Sequence, residues 1–181
     1  MLQNTINNPF RSKWLILILI SVLSGCSSTP QTVEQIQTPN EKLIEDIKLY
    51  DLEADETALG VKIYLPKLSF NFDSYELSNT AHDKLAYIVQ LCLEESALER
   101  DILVIGHTDS KGTKEYNLKL SQNRAVRVRD ALLELGLQSS RITTAWYGDS
   151  QPIVPNTFSD GSDNEEGRAI NRRVEIVILN P

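Results

Sequence analysis

From Gly60 the chain alternates apolar and polar residues: Val61, Ile63 and Leu65 point one way, Lys62 and Tyr64 the other. That two-residue period predicts a half-buried strand, ended by Pro66. Leu68, Phe70 and Phe72 repeat the period and predict a second strand, closed by Asp73-Ser74. The period then lengthens. Ser78 is a plausible N-cap for a helix whose inward stripe is Ala81, Leu85, Ile88 and Cys92. Asp101–Ile105 is a short, nearly continuous apolar run, as in a strand covered by helices, and it stops on Gly106. After a polar turn a long helix starts near Glu115. Its stripe is Leu118, Ser121, Ala125, Val128, Leu132 and Leu135, and Gly136 is a natural C-cap. Arg141–Tyr147 predicts another strand, Gly148–Gly167 a long loop, and Asn171–Leu179 a last strand with Val174, Ile176 and Ile178 on one side. Strand, strand, helix, strand, helix, strand, strand predicts an α/β fold. It is a two-layer sandwich, a mixed sheet with helices on one face.

Upstream of Gly60 the pattern differs. Leu43, Ile47, Tyr50 and Ala54 recur at helical spacing, which predicts an amphipathic helix over Glu41–Glu56 with Asn40 as N-cap. It packs either on its own domain or on a partner. Ser27–Asn40 has two prolines and little apolar content, and reads as a solvated linker reaching roughly 45 Å when extended. Arg11 and Lys13 precede the apolar run Trp14–Leu23, which falls short of the roughly 20 residues that span a bilayer. A charged start, a short apolar stretch and small residues after it read as a secretory signal, with an anchor helix as the alternative. The expected division is a signal over 1–25, a linker and helix over 26–59, and a domain over 60–181.

Charge removes one class of function. The chain has a formal charge of −7 over 181 residues, with no basic cluster, which argues against nucleic acid as a partner. The cysteines, Cys26 and Cys92, sit in contexts too different to suggest a disulfide. Cys92 reads as a small buried thiol. No Cys/His cluster exists, so neither a metal nor another cofactor is expected.

The candidate chemistry centres on the turn and the long helix. Asp109 lies on the loop just before the helix, while Asn117 and Arg124 are two turns apart on nearly one side of it. A fixed anion and a fixed cation at one mouth, with an amide beside them, suit a ligand with an ammonium and a carboxylate on one carbon. Arg forks onto a carboxylate and Asp accepts from an ammonium. Taken singly, Asp109 reads as an Asx-turn and Arg124 as a surface ion pair. An enzyme reading recruits His107, Asp109 and Ser110 or Ser121, but no nucleophile elbow or third ligand accompanies them, so catalysis is not expected. His107 reads instead as a residue that orders the loop, its ring hydrogen-bonded locally.

These motifs carry a resemblance. Ile105–Arg129, IGHTDSKGTKEYNLKLSQNRAVRVR, is similar to the C-terminal domain of outer-membrane protein A, the OmpA-like domain also found in peptidoglycan-associated lipoproteins and some flagellar stator proteins. Phe70–Leu77, Tyr147–Pro152 and Asn171–Ile176 are further marks of that family, and the likeness runs from about Gly60 to Pro181. It implies non-catalytic binding of the peptidoglycan peptide stem through the free amino-acid head of meso-diaminopimelate. By motif position Asp109 is the acidic contact and Arg124 the basic one. Asp73, Thr108 and Asn117 border them, and one of Arg172 and Arg173 faces the ligand while the other meets solvent or a loop acid. Leu23-Ser24-Gly25-Cys26 resembles a lipobox, which implies cleavage before Cys26, acylation (palmitate among the chains) and a lipid anchor. Ser27 after it implies sorting to the outer membrane, with the domain in the periplasm of a Gram-negative cell. A tether between outer membrane and wall is the leading reading. The alternative is an interaction module docking envelope proteins through the Glu41–Glu56 helix. The family's connection before Asn171 is shorter, so Ser159–Gly167, with Asp160, Asp163, Glu165 and Glu166, reads as an inserted acidic flap. Its role is left open, though carboxylates alternating with glycine suggest a calcium loop that lacks the EF-hand pattern.

Overall fold

The computed structural model describes residues 37–65 and 77–181. The strand expected through Leu68–Phe72, Asp73 and the Cys26 site lie outside the described residues. Residues Ile36–Pro181 form one compact unit. Its elements in order are α1 (Pro39–Lys48), β1 (Glu53–Thr57), β2 (Gly60–Leu65), α2 (Asn79–Cys92), β3 (Ile102–Gly106), α3 (Lys114–Glu134), β4 (Ile142–Trp146), α4 (Glu165–Asn171) and β5 (Val174–Leu179).

Among the described residues the five strands form one mixed sheet in the order β1-β2-β5-β3-β4. β1, β2, β5 and β3 pair antiparallel in turn, and β3 and β4 run parallel, joined by the α3 crossover. Strand alternation sorts the side chains. Val61, Ile63, Leu65, Ile102, Val104, Val174, Ile176 and Ile178 meet the apolar stripes of α1, α2 and α3 in a single core. Lys62, Tyr64, Ile105, Glu175 and Val177 fall on the other face by the same period. The expected sandwich with helices on one face is therefore present.

Three expectations change at the N-terminal side and along α3. The helix foreseen over Glu41–Glu56 stops at Lys48, and Glu53–Thr57 is an edge strand. The break comes where Asp51 takes a left-handed φ of 54°, which Asp tolerates better than most residues. The N-cap is Thr38 rather than Asn40. Thr38 Oγ1 accepts from the Glu41 amide and the Glu41 carboxylate accepts from the Thr38 amide, a reciprocal capping box. Asn40 instead donates to Glu56 and Asn180. Leu43 and Ile47 are fully buried, so α1 docks on its own domain, and truncating either to Ala should cost about 2–5 kcal/mol. On α3 the inward position of the first turns is taken by Asn117, not Leu118, which is 44% exposed.

The loop after β4 also departs from expectation. Ser159–Gly167 is not a flap. Thr157 bridges to Asp163, the Asp160 carboxylate accepts from the Ser162 amide and hydroxyl, and Asn164 caps α4 by accepting from the Gly167 amide. Asn171, placed by sequence on the last strand, ends that helix and ties the loop down. Its Oδ1 accepts from the Ile153 amide and its Nδ2 donates to the Val154 carbonyl.

Candidate functional site

The candidate site lies where β3, α3 and the start of β5 converge. Gly106 ends β3 directly against α3: a Cβ there would sit 2.1 Å from the Ser121 carbonyl oxygen, so only glycine lets the helix come this close. Ser121 then links the next loop. Its hydroxyl donates to the Leu118 carbonyl and accepts from the Gly148 amide, while Gly148 accepts from the Thr108 amide. The hydroxyl that an enzyme reading would recruit is thus engaged in holding two loops together.

Asp109 stands on this frame. Its backbone carbonyl accepts from the Thr108 hydroxyl at 3.0 Å and from the Asn117 amide at 3.2 Å. Its Oδ1 accepts from the Lys111 amide at 3.0 Å, an Asx-turn. Its Oδ2 accepts from Arg172 Nη1 at 2.6 Å. The expected Asx-turn is therefore present on one carboxylate oxygen, and the other holds an arginine of the same chain. Asp109 is 7% exposed, and Thr108 and Asn117 are buried behind it. Thr108 and Asn117 act on the Asp109 carbonyl, so they fix the loop. Arg124 is 5% exposed on the stripe that carries Asn117 and Ser121.

The two arginines that sequence left undivided are separated by the structure. Arg172 lies at the mouth, with Nη1 on Asp109 and Nη2 on Glu165 Oε1 at 2.8 Å. Arg173 meets neither solvent nor a loop acid. It is buried on the far face of the sheet, where Nε and Nη2 both donate to Glu175 Oε1, at 2.9 and 2.7 Å. Lys62 binds the other Glu175 oxygen at 2.7 Å. Burial raises the Glu175 pKa, but hydrogen bonds from Lys62 and Arg173 outweigh it and hold the carboxyl below its usual range.

His107 differs from expectation as well. Its backbone amide donates to the Arg173 carbonyl at 3.0 Å, so the residue does order the loop. Its ring makes no hydrogen bond among the described residues. Nε2 stays 3.6 Å from Glu175 Oε1, an oxygen already taken by Arg173. Tyr147 covers the ring at a centroid distance of 5.8 Å. Burial first, and the Arg173 charge second, push the imidazole pKa down to about 4, so the ring is neutral at pH 7.

Glu165, Glu175 and Lys62 were not singled out in the sequence. Glu175 had a signal: in NRRVEI, Arg173 and Glu175 are two apart on an otherwise apolar strand and must share a face. Glu165 had a weaker one, standing three residues before Arg168 and seven before Arg172 in a helix too short to show a period. Arg168, fully buried, pairs with Glu165 and with Asp163, the latter at 2.7 Å. Among the described residues no group of His, Cys, Asp or Glu is arranged to hold a metal, and no helix is long and apolar enough to cross a membrane. Cys92 is buried, and burial pushes its thiol up to about 12.

Known proteins are similar in sequence and fold. The family model described as the OmpA family matches residues 69–166. The peptidoglycan-associated lipoprotein of Mesorhizobium japonicum is 37% identical, over 77% of this chain and 79% of its own length. The structure resembles the cell wall anchor of the T6SS from Pseudomonas aeruginosa, with TM-score 0.64 and 26% identity over 80% of this chain and 99% of that one. It also resembles the peptidoglycan-associated lipoprotein from Burkholderia pseudomallei, with TM-score 0.52 and 34% identity over 62% and 89%. The chain spans about a third or less of several curated relatives that it matches, including 31% of outer membrane porin F from Pseudomonas fluorescens. With a matching family model over more than half its residues, and a relative aligned over most of both chains, this chain belongs to the OmpA family.

Proposed function

We propose that this protein binds peptidoglycan without cleaving it and tethers the outer membrane to the cell wall from the periplasmic side. The ligand group is the free amino-acid head of meso-diaminopimelate in the peptide stem. Asp109 receives its ammonium and Arg124 its carboxylate, while Arg172 completes the rim and Thr108 and Asn117 keep Asp109 in place. Asp73 adds a contact from the segment between β2 and α2. The observation that carries this reading is Asp109, almost fully buried at a loop tip, its carboxylate bonded by the Lys111 amide and Arg172 and its backbone carbonyl by Asn117. A site that rigid loses little entropy when a small zwitterion binds. The names of the relatives, peptidoglycan-associated lipoproteins and a cell wall anchor, support the cell wall as the partner. Lipid on Cys26 supplies the membrane end of the tether. Three acyl chains anchor far more firmly than the single chain that gives only marginal binding.

Co-sedimentation of the purified protein with sacculi tests the reading. The parent protein pellets with them. Asp109→Ala and Arg124→Ala each lose about 30-fold or more in affinity, the consequence of leaving half of a desolvated charge pair unmatched. Arg127→Ala is the control. It removes the same charge from α3, where Arg127 makes an exposed pair with Glu134 at 3.3 Å, and it keeps most of the affinity. Equal losses from Arg124→Ala and Arg127→Ala would replace the clamp by diffuse electrostatics.

A further inference from the structure

We infer that Glu165 is a specificity-determining residue, which keeps the Asp109 mouth selective for a ligand head that carries a free ammonium beside its carboxylate. The inference rests on the reading that Asp109 receives that ammonium.

The difficulty it answers is Arg172. Its Nη1 lies 2.6 Å from the Asp109 oxygen that an ammonium would approach. A second cation brought to that oxygen meets the guanidinium at close range, and like charges there oppose binding. The pair is only 12% and 10% exposed, so water screens it poorly. Left alone, Asp109 and Arg172 would make a neutral mouth with no preference for a cation. Glu165 changes the count. Its Oε1 accepts from Arg172 Nη2 at 2.8 Å, on the nitrogen turned away from Asp109. The guanidinium charge is delocalised, so a carboxylate on one nitrogen lowers the positive potential at the other. With Glu165 in place Asp109, Glu165, Arg172 and Arg124 sum to zero, and the mouth matches a zwitterion. Without it the sum is positive and a head with only a carboxylate gains. Glu165 is itself positioned from behind by the fully buried Arg168, which also pairs with Asp163. Its neighbour Glu166 makes no ion pair among the described residues and is exposed.

The probes are two soluble peptide stems that differ in one group: one ends in meso-diaminopimelate with its amine free, the other has that amine acetylated. Titration calorimetry on the parent protein, Glu165→Gln and Glu166→Gln reads the ratio of the two affinities. Gln removes the charge and keeps one acceptor oxygen, so it bonds Arg172 or Arg168 but not both, and it is the ratio of affinities that isolates the charge. Glu165→Gln should weaken the free-amine stem about three- to tenfold, the effect being held down by the 64% exposure of the Glu165 side chain, and leave the acetylated stem unchanged or tighter. Glu166→Gln should leave the ratio at the parent value. An unchanged ratio in Glu165→Gln overturns the inference, even if both affinities fall together, because that marks a purely structural role for the residue. A parent protein that binds both stems equally, or neither, overturns the clamp reading and this inference with it.

Discussion

Glu175→Leu isolates the energetics of the charges under the sheet. Glu175 is 2% exposed and accepts from Arg173 twice and from Lys62 once. Leucine removes all three bonds at once. Lys62 is 24% exposed on its side chain and recovers water, so its share of the loss is small. Arg173 is 3% exposed and cannot. It is left as a buried charge whose remaining acceptors, the carbonyls of Asn171 and Gln151, lie at 3.4 Å. Breaking a buried pair by removing one partner costs about 3–5 kcal/mol, a large share of the roughly 5–15 kcal/mol that holds a domain together. Replacing both partners by apolar residues of similar volume is commonly neutral or stabilising. Adding Arg173→Met to Glu175→Leu should therefore recover most of the loss. Urea unfolding gives each value from its midpoint at constant slope. A single variant that unfolds at the parent midpoint, or a double variant no better than the single, would refute the account: the penalty would then not be an uncompensated Arg173 charge.

Three further outcomes are expected. His107 has a folded pKa of about 4, below its ordinary 6.5, so its contribution to stability is complete above pH 6.5 and falls away as pH drops towards 4. The loss approaches about 3 kcal/mol by pH 4, and Glu175, held low in the fold, adds to it at still lower pH; His107→Phe should flatten the part between 6.5 and 4, as read by urea midpoints across pH. Gly106→Ala places a methyl 2.1 Å from the Ser121 carbonyl and should cost about 1–3 kcal/mol or more in the same assay, since β3 and α3 must separate. Mass spectrometry of the mature N-terminus should find an acylated Cys26, and an unmodified Cys26 or a retained 1–25 segment would remove the lipid anchor from the proposal.

What could be read in the sequence follows from where the information is local. β2, α2, β3, α3 and β5 announce themselves because their apolar residues repeat at the period of the element. β1 does not: in Glu53–Thr57 only Ala54 faces the core, and an edge strand of acids carries no apolar alternation. Ala54 also lies at helical spacing from Ile47, which made the strand look like the continuation of α1. No glycine or proline marks the break at Asp51. α4 is hidden for a different reason, since seven residues cannot display a helical period and its cap, Asn164, sits among other loop formers. In the candidate site, the placing of Asp109 on the loop before α3 and of Arg124 on one side of that helix with Asn117 is legible from motif and spacing. The partner of Asp109 was not, because Arg172 is 63 residues away and which of two adjacent arginines turns to the mouth depends on how α4 ends. The state of the His107 ring is not legible in the sequence, because its isolation depends on Arg173 occupying Glu175, a competition between side chains that no local pattern records.

The strand order also bears on how the site comes into being. β5 is last in sequence among the described strands, yet it lies in the middle of the sheet, between β2 and β3. Until it inserts, β1-β2 and β3-β4 are two separate ribbons with open edges, and Gly60 must wait for Leu179 as its partner. Arg172 stands two residues before that strand, so the mouth is closed by the same late event that completes the sheet. Pairings of such long sequence separation raise contact order and slow folding. A chain that has formed only as far as β4 therefore has no finished mouth at Asp109. Mouth and sheet are completed together.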